Sequence, residues 1–179
     1  IYEYIIGIAW YYISNKEFDL YNSLNLTLNA DFEPVIHAGG GDGDIVIHYE
    51  EIIVMLEVTL MNKQAQKRGE WEPVLRHSLN LKAANEPKET ITLFIAGELD
   101  YNTINIWRAV ASVSLESTNT HTKVDGVVIM PFTNNEVLAF LKNSVYYKDI
   151  VKAVKDSFAK GPQITDVKWH EEVISSLIN

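Results

Sequence analysis

Residues 52–60 read Ile-Ile-Val-Met-Leu-Glu-Val-Thr-Leu, a run that is nearly continuously apolar and rich in β-branched side chains. Apolar residues without polar alternation mark a strand buried on both faces, which places it inside a sheet rather than at its edge. A shorter run, Ile45-Val46-Ile47, precedes it, and the polar residues 48–51 between them form a turn, so the two runs make a hairpin. A glycine-rich turn, Gly39-Gly40-Gly41-Asp42-Gly43-Asp44, leads into the first strand. Any fold for this chain has to bury that hairpin in its core.

Glu57 breaks the apolar run, and a carboxylate in a buried strand is costly unless it is paired or ligated. The spacing Asp44-x12-Glu57 puts Asp44 at the start of one strand and Glu57 late in its antiparallel neighbour, where the two face each other across the ladder. Two converging carboxylates suit a hard divalent cation. Mg²⁺ held this way supplies both an activated water near neutral pH and a counter-charge for phosphodiester hydrolysis. Asp42 is a rival ligand if the glycine turn folds over the metal, and reads better as a turn residue. The Gly/Asp string has the wrong aspartate register, and a single copy, for a calcium-binding nonapeptide repeat. No Lys-Ser/Thr pair follows it, as a phosphate-cradling loop requires. His37 and His48 lack a third ligand at useful spacing for zinc, and no Ser, His, Asp series forms a triad.

Along the rest of the chain, residues 1–13 carry apolar positions at helical spacing, and Leu24, Leu26 and Leu28 alternate as a short strand or extended connector. Pro73 fits a first helical turn, so a helix from Trp71 or Glu72 to about Lys82 is predicted, with Glu70 at its mouth. Residues 90–95 form another buried strand, Asn102 or Thr103 caps a helix reaching about Leu115, and residues 126–130 form a fourth strand. Thr133 with Glu136 matches a capping box opening a helix through Leu141, and residues 147–159 and 167–178 read as closing helices. The dispersed Trp10, Trp71, Trp107 and Trp169 fit packing better than base stacking. At 179 residues and 47% hydrophobic content, one domain over residues 1–179 is expected.

The function classes narrow further with charge and cysteine content. With no cysteine, thiolate metal sites, cysteine nucleophiles and disulfide frameworks are excluded. Residues 1–13 lack a basic leading segment, and no stretch approaches the roughly 20 apolar residues that span a bilayer. A soluble, cytoplasmic protein with no membrane partner is expected. The net charge of −9 argues against autonomous DNA binding, which needs cations to replace counterions on phosphates. Positive charge is dense only downstream of Glu57, at Lys63, Lys67, Arg68, Arg76 and Lys82.

These residues carry a resemblance. Gly-Asp-Gly-Asp-Ile-Val-Ile followed by Leu-Glu-Val-Thr-Leu resembles the PD-(D/E)XK nuclease core. Residues 33–77 resemble the cleavage domains of AlwI-like Type IIS restriction endonucleases. The matching residues are His37-Ala38-Gly39-Gly40, Glu57-Val58-Thr59-Leu60, Gln64 and the stretch Arg68-Gly69-Glu70-Trp71-Glu72-Pro73-Val74-Leu75-Arg76-His77. Residues 90–130 are similar in order and spacing to FokI-like cleavage domains. The resemblance implies an α/β (α+β) fold with a central mixed sheet flanked by helices. It also implies a bacterial, Mg²⁺-dependent small subunit that cuts one strand of double-stranded DNA. In such systems a large subunit recognises the site and nicks the other strand. Asp44 and Glu57 would then ligate metal, with Glu70 as a third acid near a second metal or the attacking water. Thr59 stands where the motif has lysine, and a hydroxyl carries no positive charge to stabilise the developing anion. Lys63, Lys67 or Arg68 reaching back from the following loop, or a second metal on Glu70, would replace it. Gln64, Arg68 and His77 would support the site at phosphate or water, and Trp71, Leu75 and Arg76 would face a partner.

Overall fold

The structure, a computed structural model, describes residues 1–28, 34–37, 43–161 and 166–178. Asp42 and the rest of the glycine turn before Gly43 lie outside the described residues. Among the described residues the elements run α1 (Tyr2–Ile13), α2 (Leu20–Ser23), β1 (Leu26–Leu28), β2 (Pro34–His37), β3 (Ile45–His48), β4 (Ile52–Thr59), α3 (Lys63–Gly69) and α4 (Trp71–Asn85). They continue with β5 (Glu89–Ala96), α5 (Tyr101–Val110), β6 (Ser114–Glu116), β7 (Lys123–Asp125), β8 (Ile129–Thr133), α6 (Asn134–Lys142), α7 (Tyr147–Ala159) and α8 (Trp169–Leu177). No helix among them is long and apolar enough to cross a membrane.

The main sheet has the strand order β3-β4-β5-β8, with β3 antiparallel to β4 and the other pairs parallel. The second strand of the predicted hairpin, β4, is therefore interior, and β3 lies at the edge. Every residue of β4 is buried, as its nearly continuous apolar run predicts, and each large aliphatic side chain so buried contributes roughly 1.5–3 kcal/mol. β5, α5 and β8 form the expected strand, helix, strand unit, joined by the parallel pairing of Thr92–Ala96 with Ile129–Thr133. Helix α1 packs against β4 and α6 through a side that includes the buried Ile6, Trp10 and Ile13. Helices α4 and α5 cover β5 and β8. Trp107 of α5 lies with its ring centroid 4.5 Å from that of Phe94 on β5.

The helix ends follow the chain's own polar residues. Thr133 and Glu136 close the predicted capping box: Glu136 N–H donates to Thr133 Oγ1 at 3.2 Å and Thr133 N–H to Glu136 Oε2 at 2.6 Å. Helix α5 is capped by Asp100, whose Oδ2 accepts from Thr103 N–H at 2.9 Å, and not by Asn102 or Thr103. It ends at Val110 rather than near Leu115, because residues 114–125 turn back as the β6–β7 hairpin. The last sheet strand accordingly starts at Ile129, after Gly126 takes a φ of 70° in which a Cβ would collide with Ala111 O at 2.2 Å. Helix α4 runs three residues beyond Lys82.

A larger correction concerns residues 63–69, read from the sequence as a loop. They form α3, capped by the Asn62 side chain accepting from Ala65 N–H at 3.0 Å. Only Gln66 among them is buried, so the segment carries no apolar periodicity to announce a helix.

Candidate active site

Strand alternation decides which side chains meet. In the β4–β5 ladder Met55, Glu57 and Thr59 pair with Thr92, Phe94 and Ala96 and so share one face. That face is covered by α4, since Ser78 of α4 bonds Thr92 at 2.7 Å. Glu57 and Thr59 therefore point toward α4 rather than toward α1. The β3–β4 register pairs Ile45 with Leu56, and continuing it by one residue sets Asp44 opposite Glu57, as the spacing predicts.

Asp44 is held at both ends of its residue. Its Oδ2 accepts from Val58 N–H at 2.7 Å, and its carbonyl accepts from Asn25 N–H at 2.9 Å. Gly43 crosses directly over the strand: a Cβ there would lie 2.3 Å from Met55 Sδ and 3.0 Å from Glu57 Oε1. Any larger residue there would have to push the Met55 side chain aside.

Glu57 is 7% exposed, and its Oε1 lies 2.7 Å from His77 Nδ1. His77 is on α4, seven residues after Glu70, so the two project from one stripe of the helix toward the strand. Glu70 sits at the N-terminus of α4, and its Oε1 accepts from Thr59 Oγ1 at 3.1 Å. It is at once the C-cap of α3 and the N-cap of α4, so the two helix dipoles oppose one another there.

The electrostatics follow from this crowding. Burial first, and then the Glu57 carboxylate, push the Asp44 carboxyl up to about 7, with Glu3 and Glu70 adding to the repulsion. Burial also raises Glu70 above the usual carboxylate range, opposed by the Thr59 hydroxyl and reinforced by Glu57. His77 is raised, chiefly through its hydrogen bond to Glu57. Glu3, in the first turn of α1, thus belongs to the same electrostatic cluster. In the sequence it reads as an ordinary acid at a helix N-terminus.

The remaining candidates stand apart. Lys67 does not reach back to Thr59: because residues 63–69 are helical, its Nζ lies 3.3 Å from Oδ1 of the buried Asp100. Lys63 Nζ is 3.8 Å from Glu98 Oε2, and both side chains are half exposed. Gln64 and Arg68 are exposed on α3. The glutamine engaged in structure is Gln66, fully buried, which spacing arguments did not single out because a buried polar residue leaves no periodic signal. Trp71 is partly exposed, and Arg76 pairs with Glu72 at 3.0 Å.

The donor set is all carboxylate oxygen, the chemistry of hard cations. Among the described residues no three acidic or histidine side chains form a ready metal cage. The residues fit an ion held by one or two carboxylates, Asp44 and Glu57, and completed by water and substrate oxygens, as Mg²⁺ commonly is. Two mutually repelling carboxylates, one of them raised to about 7, are what such a cation would relieve.

Comparison with known proteins bears on the fold and the family. The chain has the fold of the small subunit (R.BspD6I2) of the heterodimeric restriction endonuclease R.BspD6I. The TM-score is 0.67 at 17% identity, over 98% of this chain and 87% of that one. No curated protein matches the chain. A family model described as AlwI restriction endonuclease matches residues 1–140, more than three quarters of the sequence, and on that match the chain belongs to the AlwI restriction endonuclease family.

Proposed function

We propose that this protein is a nuclease subunit of the PD-(D/E)XK type that hydrolyses one strand of double-stranded DNA when docked on a larger, site-recognising subunit that nicks the other. The observation that carries the reading is the acid pair. Asp44 and Glu57 oppose each other at the open end of the central hairpin, within hydrogen-bond reach of Val58 N–H and His77 respectively.

Mg²⁺ bound by Asp44 and Glu57 would supply an acidified water and a counter-charge to the phosphate. The chain's own residues do the rest. His77 fixes the Glu57 carboxylate through Nδ1, and Thr59 orients Glu70 toward the same face. Glu70 would accept a proton from an attacking water, and its raised pKa makes it a stronger base for that role. Dependence on a partner is supported by the charge of −9, which makes a DNA grip by this chain alone weak. It is supported too by the likeness to a chain whose title names it the small subunit of a heterodimer.

A second reading, an inert scaffold of the same fold, is favoured by one observation. Thr59 occupies the lysine position, and the nearest downstream lysines are engaged with Glu98 and Asp100. Cleavage of supercoiled plasmid with Mg²⁺ separates the two. The chain is assayed alone, a site-specific nicking large subunit alone, and both mixed, with Glu57→Ala as control. Linear product only in the mixture, reverting to nicked circles with the variant, is expected. Linear product that survives Glu57→Ala would show a scaffold.

A further inference from the structure

Gln66 is wholly buried, yet it lies on an otherwise exposed helix and every hydrogen-bonding group of its carboxamide is used. Its Nε2 donates to Met61 O at 2.9 Å and to Glu98 O at 2.7 Å, and its Oε1 accepts from Asp100 N–H at 3.2 Å. Met61 follows the end of β4, and Glu98 and Asp100 follow the end of β5. One side chain thus ties together the loops leaving two adjacent parallel strands, at the end of the sheet that carries Glu57 and Thr59.

The tie continues into the site. Met61, whose carbonyl is held by Gln66, is also fixed at its other flanking peptide, where its N–H donates to Thr59 Oγ1 at 3.1 Å. A hydroxyl has a single hydrogen. With its oxygen accepting from Met61, Thr59 directs that hydrogen to Glu70 Oε1 at 3.1 Å. Gln66, Met61, Thr59 and Glu70 form one directed chain of hydrogen bonds, anchored at a buried amide and ending on an acid of the cluster.

We infer that Gln66 is a positioning residue for the cleavage reaction, acting through the Met61 backbone, held on both of its flanking peptides, and the Thr59 hydroxyl to set the orientation of Glu70. The inference rests on the nuclease reading above and deepens it. Thr59 then has a task its missing charge leaves intact: it delivers a fixed donor to Glu70. A threonine two residues from a freely moving loop would sample rotamers and lose that direction. Gln66 removes the freedom.

The test is a double-mutant cycle on Thr59→Val, isosteric and without the hydroxyl, and Gln66→Met, similar in length and without the amide. Two readouts are taken. Single-turnover strand cleavage at saturating DNA, in the mixture with the large subunit, reports the reaction. Hydrogen exchange at the Met61 amide reports the chain of bonds without requiring cleavage. Each single variant is expected to slow cleavage at least about tenfold while leaving KM for DNA nearly constant. The double variant is expected to be little slower than either one. Met61 exchange is expected to speed up at least about tenfold in both. Thr59→Ser restores the hydroxyl and is expected to recover the rate to within about threefold.

A purely structural Gln66 would lower Tm but leave the rate of the folded fraction unchanged, with costs that add to those of Thr59→Val. That result overturns the inference. If Gln66→Met does not fold, Thr59→Val still decides, because wild-type cleavage and unchanged Met61 exchange in that variant would refute the relay. If the unaltered mixture fails to cut at all, the nuclease reading falls on that assay, and Met61 exchange in the two variants judges the hydrogen-bond chain independently.

Discussion

The central hairpin buries polar groups at both of its ends, and the two ends treat them in opposite ways. At the turn, Tyr49 is 6% exposed, and its hydroxyl lies 2.5 Å from Ser14 Oγ and accepts from Trp10 Nε1 at 3.0 Å. Its ring stacks on Tyr147 at 4.0 Å, and its carbonyl accepts from Lys88 Nζ at 2.6 Å. The buried hydroxyl and carbonyl of Tyr49 are thus both hydrogen-bonded, as burial demands. At the open end the buried groups are carboxylates that repel one another, with His77 the counter-group bonded to Glu57. One end is arranged for stability. The other carries unrelieved charge at a cost to the fold, and such a cost persists where a ligand or reaction uses it.

The largest effect that would break this contrast is on activity. Glu57→Ala removes one of the two proposed metal ligands and should lower single-turnover cleavage in the two-subunit mixture by at least about 10³-fold, since metal-borne charge stabilisation is worth several kcal/mol. A circular dichroism melt of the variant should still show a cooperative fold. Survival of cleavage would assign the site end to structure alone.

Asp44→Asn sharpens the contrast, because it should abolish cleavage while stabilising the metal-free chain. The Asp44 carboxyl is raised from 3.8 to about 7 in the fold. Between those two values the folded chain holds more protons than the unfolded one, so stability falls as pH rises across that window and stays lowered above it. In EDTA the variant should therefore melt a few degrees higher at pH 8 and near the wild type at pH 4. Cleavage by the wild type should decline as pH falls and protons compete with the metal for Asp44, and raising Mg²⁺ should move that decline to lower pH.

A smaller effect is expected at Gly43. Gly43→Ala places a Cβ against Met55 and Glu57, and overpacking of this kind costs about 1–3 kcal/mol. Urea unfolding should report it, accompanied by reduced cleavage because Asp44 is displaced. Least of all, Tyr49→Phe should cost about 1–3 kcal/mol by leaving the Trp10 indole N–H unpaired, with cleavage per folded molecule unchanged. Loss of cleavage there would erase the distinction between the two ends.

Much of this architecture was legible in the residues. A nearly continuous apolar run made β4 an interior strand, and the Asp44 to Glu57 spacing set the two acids in register. The Thr133–Glu136 capping box and the span of α7 followed from side-chain chemistry and periodicity. What stayed hidden was long-range and polar. Helix α3 has no apolar stripe, and the β6–β7 hairpin has strands of three residues each, too short for alternation to register. The hairpin is instead fastened by Asn80, whose Oδ1 accepts from Ser117 Oγ at 2.8 Å and Asn119 N–H at 3.2 Å. Lys67 was read as free to approach Thr59, and its partner Asp100 lies thirty-three residues away in sequence. The sequence assigns His77 a supporting place at phosphate or water, and its bond to Glu57 was the part left unread, since that contact joins α4 to β4 across twenty residues.

The most direct test of the acid pair is strand-resolved cleavage of an end-labelled duplex carrying the recognition site of a nicking large subunit. Each strand is labelled in turn, and the large subunit is mixed with wild-type chain or with Glu57→Ala. Loss of the cut on one strand only, with the large subunit's own nick intact, is the predicted result. Two cuts that persist with the variant would contradict it and remove Asp44 and Glu57 from the chemistry.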